Sequence, residues 1–297
     1  MSPPMSVAIQ TKDAGVSAER TYLFVPGDRP ERFDKAWTSP ADAIVMDLED
    51  AVAPERKPEA RTSLARWLHP DRPVWVRCNA IDTPWFEDDL SLLTLPGVAG
   101  VMLPKAEALP DRLRILAGPG RVRIMPLVET AAGFSRLDEI AAWPGVVRLV
   151  FGSIDFQVDL GIEDDDEALL YYRSRLVLAS RLAGLAGPVD GISTEMQDEA
   201  RILSEAQRSR RLGMTGKLCI HPRQILPTHQ AFAPDAQQRL WARHIIEAME
   251  QAQGAAVRVD GKMVDRPVLL KARRLIAQPQ ADQRMRGLDA AARPCLQ

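Results

Sequence analysis

Glu129 and Asp155 stand 26 residues apart (129 to 155), each just past a short apolar run, Arg123–Val128 before the first and Val147–Phe151 before the second. That separation is one strand-plus-helix unit, which places two carboxylates side by side at one rim of a parallel sheet. Two close anions repel unless a cation neutralises them. A hard ion such as Mg2+ needs only one or two protein carboxylates and fills its remaining octahedral positions with water and substrate oxygens, leaving room for a chelating 2-keto acid. The competing reading is helix capping, because an acid at a strand-to-helix junction satisfies free backbone N–H groups.

Arg77 closes another run, Val74–Arg77. A long cation at a strand end is costly unless it faces an anion, and its planar fork suits a carboxylate or a developing enolate. A salt bridge to Asp47 or Glu49 is the alternative partner, and both roles are compatible. Asp47, Glu49 and Asp50 are too many acids for one cap, so Glu49 joins the candidates for a supporting or catalytic role at the rim. Among the histidines only His221 lies at a strand end, and with Pro222 directly after it a turn-ordering or rim role fits best.

These residues require a scaffold that brings several strand ends together. Eight β-branched or apolar runs recur: 22–25, 43–47, 74–77, 99–103, 123–128, 147–151, 189–192 and 217–220. Helix-period stretches lie between them, including 54–68, 131–143, 167–185 and 196–212. Eight βα units point to the α/β class and a closed (β/α)8 TIM barrel, whose chemistry sits at the C-terminal strand ends. An open nucleotide-binding sheet would carry a Gly-rich first turn, and no GxGxxG follows the first run. The expected division is a tail over 1–19, a barrel over 20–233 and a C-terminal helical extension over 234–297. That extension comprises a helix over 234–253, a hairpin-like piece over 257–262 and a last helix over 266–277.

Composition removes several function classes. Lys and Arg number 38 against 40 Asp and Glu, giving a net charge of -2 with no basic face for nucleic acid or anionic lipid. Cys78, Cys219 and Cys295 are odd in number and show no CxxC spacing, so neither a zinc site nor a disulfide framework is expected. No secretory leader pattern or long apolar span is visible, and a reducing cytoplasm is the expected setting.

Taken in order, Leu23–Gly27, Asp47–Val52, Val76–Asn79, Leu103–Lys105, Glu129–Gly133, Phe151–Asp155 and Ile220–Gln224 resemble the citrate lyase beta-subunit family of the HpcH/HpaI aldolase superfamily. The resemblance covers about residues 20 to 277. It implies a Mg2+- or Mn2+-dependent carbon–carbon lyase acting on coenzyme A thioesters such as malyl-, citramalyl- or citryl-CoA and releasing a 2-keto acid. It further implies Glu129 and Asp155 as metal ligands, Arg77 on substrate oxygens, and Phe24 with Lys35 near the coenzyme A nucleotide. The 260–267 segment is similar to the C-terminal lid of free-standing relatives, in which an aspartate matching Asp265 approaches a neighbouring protomer's site. A homo-oligomer, trimer or hexamer, follows from that likeness. Two departures stand out: Cys78 replaces a common Val, and Phe24 replaces a Tyr found in some relatives. An aldolase acting on free 2-keto acids and a non-catalytic thioester- or carrier-protein-binding barrel are the alternatives. The first generally carries a histidine base where this chain has Asp47–Asp50, and the second needs no chelating pair.

Overall fold

The apolar runs become parallel strands in chain order: β1 (Thr21–Pro26), β2 (Ala43–Asp47), β3 (Val74–Arg77), β4 (Val98–Leu103), β5 (Ile124–Val128), β6 (Arg148–Phe151), β7 (Ala186–Asp190) and β8 (Gly216–Cys219). Each pairs with the next and β8 pairs with β1, closing the (β/α)8 barrel that the repeat count predicts. The computed structural model describes residues 19–118, 122–253 and 255–277. The expected tail and Cys295 lie outside the described residues, apart from residue 19. Cys78 and Cys219 are buried free thiols.

The period-two alternation of strand side chains decides what faces the barrel axis. Tyr22, Val45, Trp75, Met102, Met125, Leu127, Val150, Val189 and Leu218 form the interior cluster. Their strand neighbours, among them Leu23, Met46, Val76, Leu103, Val128, Leu149 and Cys219, pack outward against the helix layer. Two steps along from the interior Val45, Trp75 and Leu127 come Asp47, Arg77 and Glu129. Parity therefore turns these three into the C-terminal mouth.

The largest departure from the expected elements is β7, which starts at Ala186 rather than at residue 189 and ends at Asp190. Gly187 and Pro188 have poor strand propensity and read as a loop. In the barrel, a side chain at Gly187 would run into Thr215, so close packing selects the glycine there. The expected helix over 131–143 is two short helices, Ala131–Ser135 and Leu137–Ala141, joined through Arg136.

The chain divides into two compact units between Thr228 and His229. In the second, the Ala236–Gln251 helix starts at a capping box in which Asp235 accepts from Gln238 N. A hairpin of β9 (Val257–Val259) and β10 (Lys262–Val264) and the Arg266–Ala277 helix complete it around Ile245, Met249, Val264 and Ala272. Asp260 and Gly261 both take positive φ, 48° and 76°, as a two-residue Asp-Gly hairpin turn demands. No helix of the described residues is long and apolar enough to cross a membrane.

Candidate active site

β2 and β3 are in register at Asp47 and Arg77, so the two side chains meet laterally at the mouth. Arg77 donates from Nε to Asp47 Oδ1 at 2.7 Å and from Nη2 to Asp47 Oδ2 at 2.6 Å. This fork-to-fork pairing fixes the plane of the guanidinium. Asp47 is itself held by Glu49 N at 2.9 Å. The third nitrogen, Arg77 Nη1, lies 2.9 Å from Glu49 Oε2 and 3.7 Å from Asp50 Oδ2. The Glu49 contact lacks hydrogen-bond alignment and is coulombic. Both salt bridges weighed for Arg77 are made. Below the guanidinium lies the Phe24 ring, 4.7 Å from Cζ. Burial works against the cation, but Asp47, Glu49 and Glu129 more than offset it and hold Arg77 charged.

Lys105, just past β4, ties this cluster to the next. Its Nζ donates to Glu49 Oε1 at 3.0 Å and its backbone N to Glu129 Oε1 at 2.8 Å. Lys105 sits at φ 44°, a left-handed conformation uncommon for a residue with a side chain. That twist points the peptide N–H at one carboxylate and the ammonium at another. Glu49 is buried, and burial raises its carboxyl pKa against the opposing pull of Arg77.

Glu129 directly follows β5, where Val128 pairs with Phe151 of β6. Its side chain crosses Gly152: a Cβ there would stand 2.5 Å from Glu129 Cβ and closer still to the carboxylate. Only glycine leaves room for this path. Asp155 lies in the first turn of the Ser153–Leu160 helix. The N-cap alternative fails for Glu129, whereas Asp155 keeps the first-turn position that a helix N-terminus favours for an acid. Thr130 caps the helix after Glu129, accepting from Gly133 N at 3.0 Å, and Gly152 occupies the cap position ahead of Asp155. Glu129 is 2% exposed, and its carboxyl is pushed up to about 8 by burial and then by the charges of Glu49 and Asp155.

A cavity of about 380 Å³ opens here, lined by Phe24, Asp47, Arg77, Glu129 and Asp155. The donor set fits a hard divalent cation. A buried carboxyl crowded by two more acids needs positive charge to ionise, and Arg77 is already engaged by Asp47. Among the described residues no three His, Cys, Asp or Glu side chains form a metal cage. Two carboxylates with open positions are the Mg2+ pattern.

Lys35 is exposed on the Phe33–Trp37 helix and does not line the cavity. Asp265 belongs to the second unit, where its Oδ1 accepts from Val268 N at 3.3 Å ahead of the last helix. His221 caps the Pro222–Gln224 turn, its Nδ1 accepting from Arg223 N at 3.2 Å, as expected of a turn-ordering histidine. Sequence reasoning left Lys105 and Gly152 without roles. Lys105 was visible as a strand-end cation, but neither its positive φ nor the passage of Glu129 over Gly152 leaves a mark in residue type or spacing.

A family profile described as HpcH/HpaI aldolase/citrate lyase matches residues 20–222. The chain belongs to this family. A citrate lyase subunit beta-like protein of Deinococcus radiodurans is 40% identical over 276 residues, covering 87% of this chain and 96% of that protein. A (3S)-malyl-CoA thioesterase of Cereibacter sphaeroides is 33% identical over 88% of this chain and 95% of its own length. Among solved structures, CitE from Mycobacterium tuberculosis in complex with magnesium, acetoacetate and coenzyme A superposes with a TM-score of 0.77 at 34% identity. It covers 88% of this chain and 98% of that one.

Proposed function

We propose that this protein is a Mg2+-dependent carbon–carbon lyase that cleaves a 3-hydroxyacyl-CoA to an acyl-CoA and a 2-keto acid, and runs the reverse condensation. The observation that carries this reading is Glu129, buried against Asp155 and Glu49 and left without a dedicated cation, beside an arginine locked in one plane. Glu129 and Asp155 would hold the metal. When bound, it supplies a Lewis acid and a chelating template for the hydroxyl and carboxylate oxygens that become the keto acid.

The chain's own residues account for the other requirements. Arg77, held by Asp47 and backed by Phe24, directs fixed positive charge at the mouth, where the thioester oxygen gains charge as an enolate. A preorganised donor of this kind contributes about 3 kcal/mol to transition-state stabilisation. Glu49 and Lys105 fix the far side of the guanidinium and the near side of Glu129. Phe24 and Lys35 are assigned to the coenzyme A nucleotide. The acid–base role falls to Asp265, contributed by a neighbouring copy in a homo-oligomer.

Chelator-treated protein, incubated with acetyl-CoA and a panel of 2-keto acids, should form no adduct until Mg2+ is restored. Adduct formation unaffected by chelation overturns the assignment.

A further inference from the structure

Resting on the lyase reading, we infer that Lys57 and Arg61 are positioning residues of the site, acting from outside the barrel by fixing the two loops whose meeting sets the plane of the Arg77 fork. Both lie in the Lys57–Trp67 helix that follows β2. With Ala60 and Leu64 they share one face, at spacings of three and four residues, and Ala60 and Leu64 seat that face in the outer core. Further apolar contacts would hold the helix in place equally well. Two cations stand there instead, and each leads to a loop of the barrel mouth.

Lys57 takes the β2 side. Its Nζ donates to Leu48 O at 2.9 Å and to Glu49 O at 3.0 Å, and stands 5.0 Å from the centre of the Trp85 ring. Lys57 is 6% exposed, so the two carbonyls and the ring replace its water. Both carbonyls lie within the Asp47–Asp50 turn, whose acids surround the guanidinium of Arg77. The ammonium therefore fixes the direction in which Asp47 and Glu49 leave the backbone.

Arg61 takes the β3 side through Asp89. Its Nε donates to Asp89 Oδ1 at 2.9 Å, while Asp89 Oδ2 accepts from Asn79 N at 2.8 Å and from Asn79 Nδ2 at 2.7 Å. Asn79 is two residues past Arg77, and Asp89 is 1% exposed. A buried carboxylate with both oxygens engaged in this way holds the chain after β3 to one path. Arg61 Nη2 also donates to Trp85 O at 3.4 Å, so the residue whose ring faces Lys57 is tied to Arg61 as well. The two clamps form one unit, and the loops they hold meet where Leu48 N donates to Arg77 O at 2.9 Å. Glu129 and Asp155 belong to the β5 and β6 ends and stand outside this unit.

Lys57→Met keeps the reach of the side chain and removes its donors. In full-length protein at saturating Mg2+, with acetyl-CoA and each 2-keto acid in turn, it should lower kcat roughly 10- to 100-fold, the scale of a small misplacement at a reacting centre. The KM for acetyl-CoA and the calorimetric affinity for Mg2+ should stay within about threefold of wild type, because the clamp bears on the arginine and not on the carboxylate pair. A double-mutant cycle separates this from a loss of stability. In an Arg77→Lys background no fork remains to be oriented, and Lys57→Met should cost less than about threefold. Hydrogen exchange followed by mass spectrometry should rise at 47–50 and 77–80 and stay as it is at 129–133. If Lys57→Met does not fold, Lys57→Arg and Arg61→Lys, which keep each charge and change only the geometry of its donors, carry the same cycle. An unchanged kcat, an equal loss in both backgrounds, or exchange unmoved at 47–50 and 77–80 overturns the inference and leaves the lyase reading standing. No turnover by the wild-type protein with any keto acid overturns the lyase reading instead, and the exchange pattern still decides whether Lys57 holds the two loops.

Discussion

Asp190, at the end of β7, and Glu129, just past β5, are both sealed from solvent, at 0% and 2% exposure, and burial pushes both carboxyls upward. Around Asp190 the surroundings reverse that push. Arg173 Nε donates to Oδ1 at 2.9 Å, Lys217 Nζ stands 3.8 Å from Oδ2, and Ser209 donates a short hydrogen bond, so the carboxyl falls to about 2. Around Glu129 the acids Glu49 and Asp155 add to the push of burial, the Lys105 backbone N–H and the more weakly felt Arg77 oppose it without reversing it, and the carboxyl rises to about 8. Strand parity makes the difference. Asp190 follows the interior Val189 by one step and turns into the helix layer, whereas Glu129 follows the interior Leu127 by two and turns into the mouth. A buried carboxylate supplied with cations is scaffold; one left short of them is a site for something to bind.

The comparison breaks most visibly at Glu129. Glu129→Gln should cut turnover by more than the roughly 100-fold that loss of an outer-sphere partner costs a metal site, measured as initial rate at saturating Mg2+. It should also stabilise the metal-free protein at alkaline pH. Glu129 in the fold is raised from 4.5 to about 8, so its contribution is fully present below 4.5 and is lost as pH rises through 8. That loss amounts to roughly 5 kcal/mol. Urea denaturation of chelated protein between pH 5 and pH 8.5 should therefore show falling stability, flattened by the substitution or by Mg2+. A wild-type curve already flat without metal would remove the contrast.

At Asp190 the sign inverts. Arg173→Met leaves a buried carboxylate without its main hydrogen-bond partner and should cost about 3 to 5 kcal/mol in the same assay at pH 7. The intact network contributes stability that is present above pH 3.8 and lost as pH falls through 2, worth about 2 kcal/mol. Arg173 also bonds the Asp165 side chain and carbonyl, so the variant should loosen the loop before the Leu170–Leu182 helix. Equal stability of variant and wild type would show that this network does not hold β7 in place.

Much of this contrast was legible in the residues. The eight runs announced the barrel, and the positions of Arg77 and Glu129 at strand ends announced the rim, because apolar periodicity and chain order are local properties; Asp155, read as a strand-end residue, sits instead in the first turn of the helix after β6. What escaped depends on how strands meet. The left-handed turn at Lys105, the passage of Glu129 over Gly152, and the network of Arg173, Asp190 and Lys217 all arise from cross-strand packing with no short-range signature. β7 was placed three residues late for the same reason. Its Gly187 and Pro188 are poor strand formers that the packing against Thr215 overrules.

Asp265 sharpens the comparison at its smallest scale, being a half-buried carboxylate already committed to a backbone N–H of its own helix. An N-cap contributes about 1 kcal/mol, and asparagine caps as well as aspartate. Asp265→Asn should therefore leave the urea midpoint unchanged while lowering kcat, with thioester affinity intact. Asp265→Ala should lower both kcat and stability. If Asp265→Asn turns over at the wild-type rate, the residue belongs with Asp190 as scaffold, and the proton must be handled by a group on the barrel rim, where Glu49, buried and raised in pKa, is the next to test.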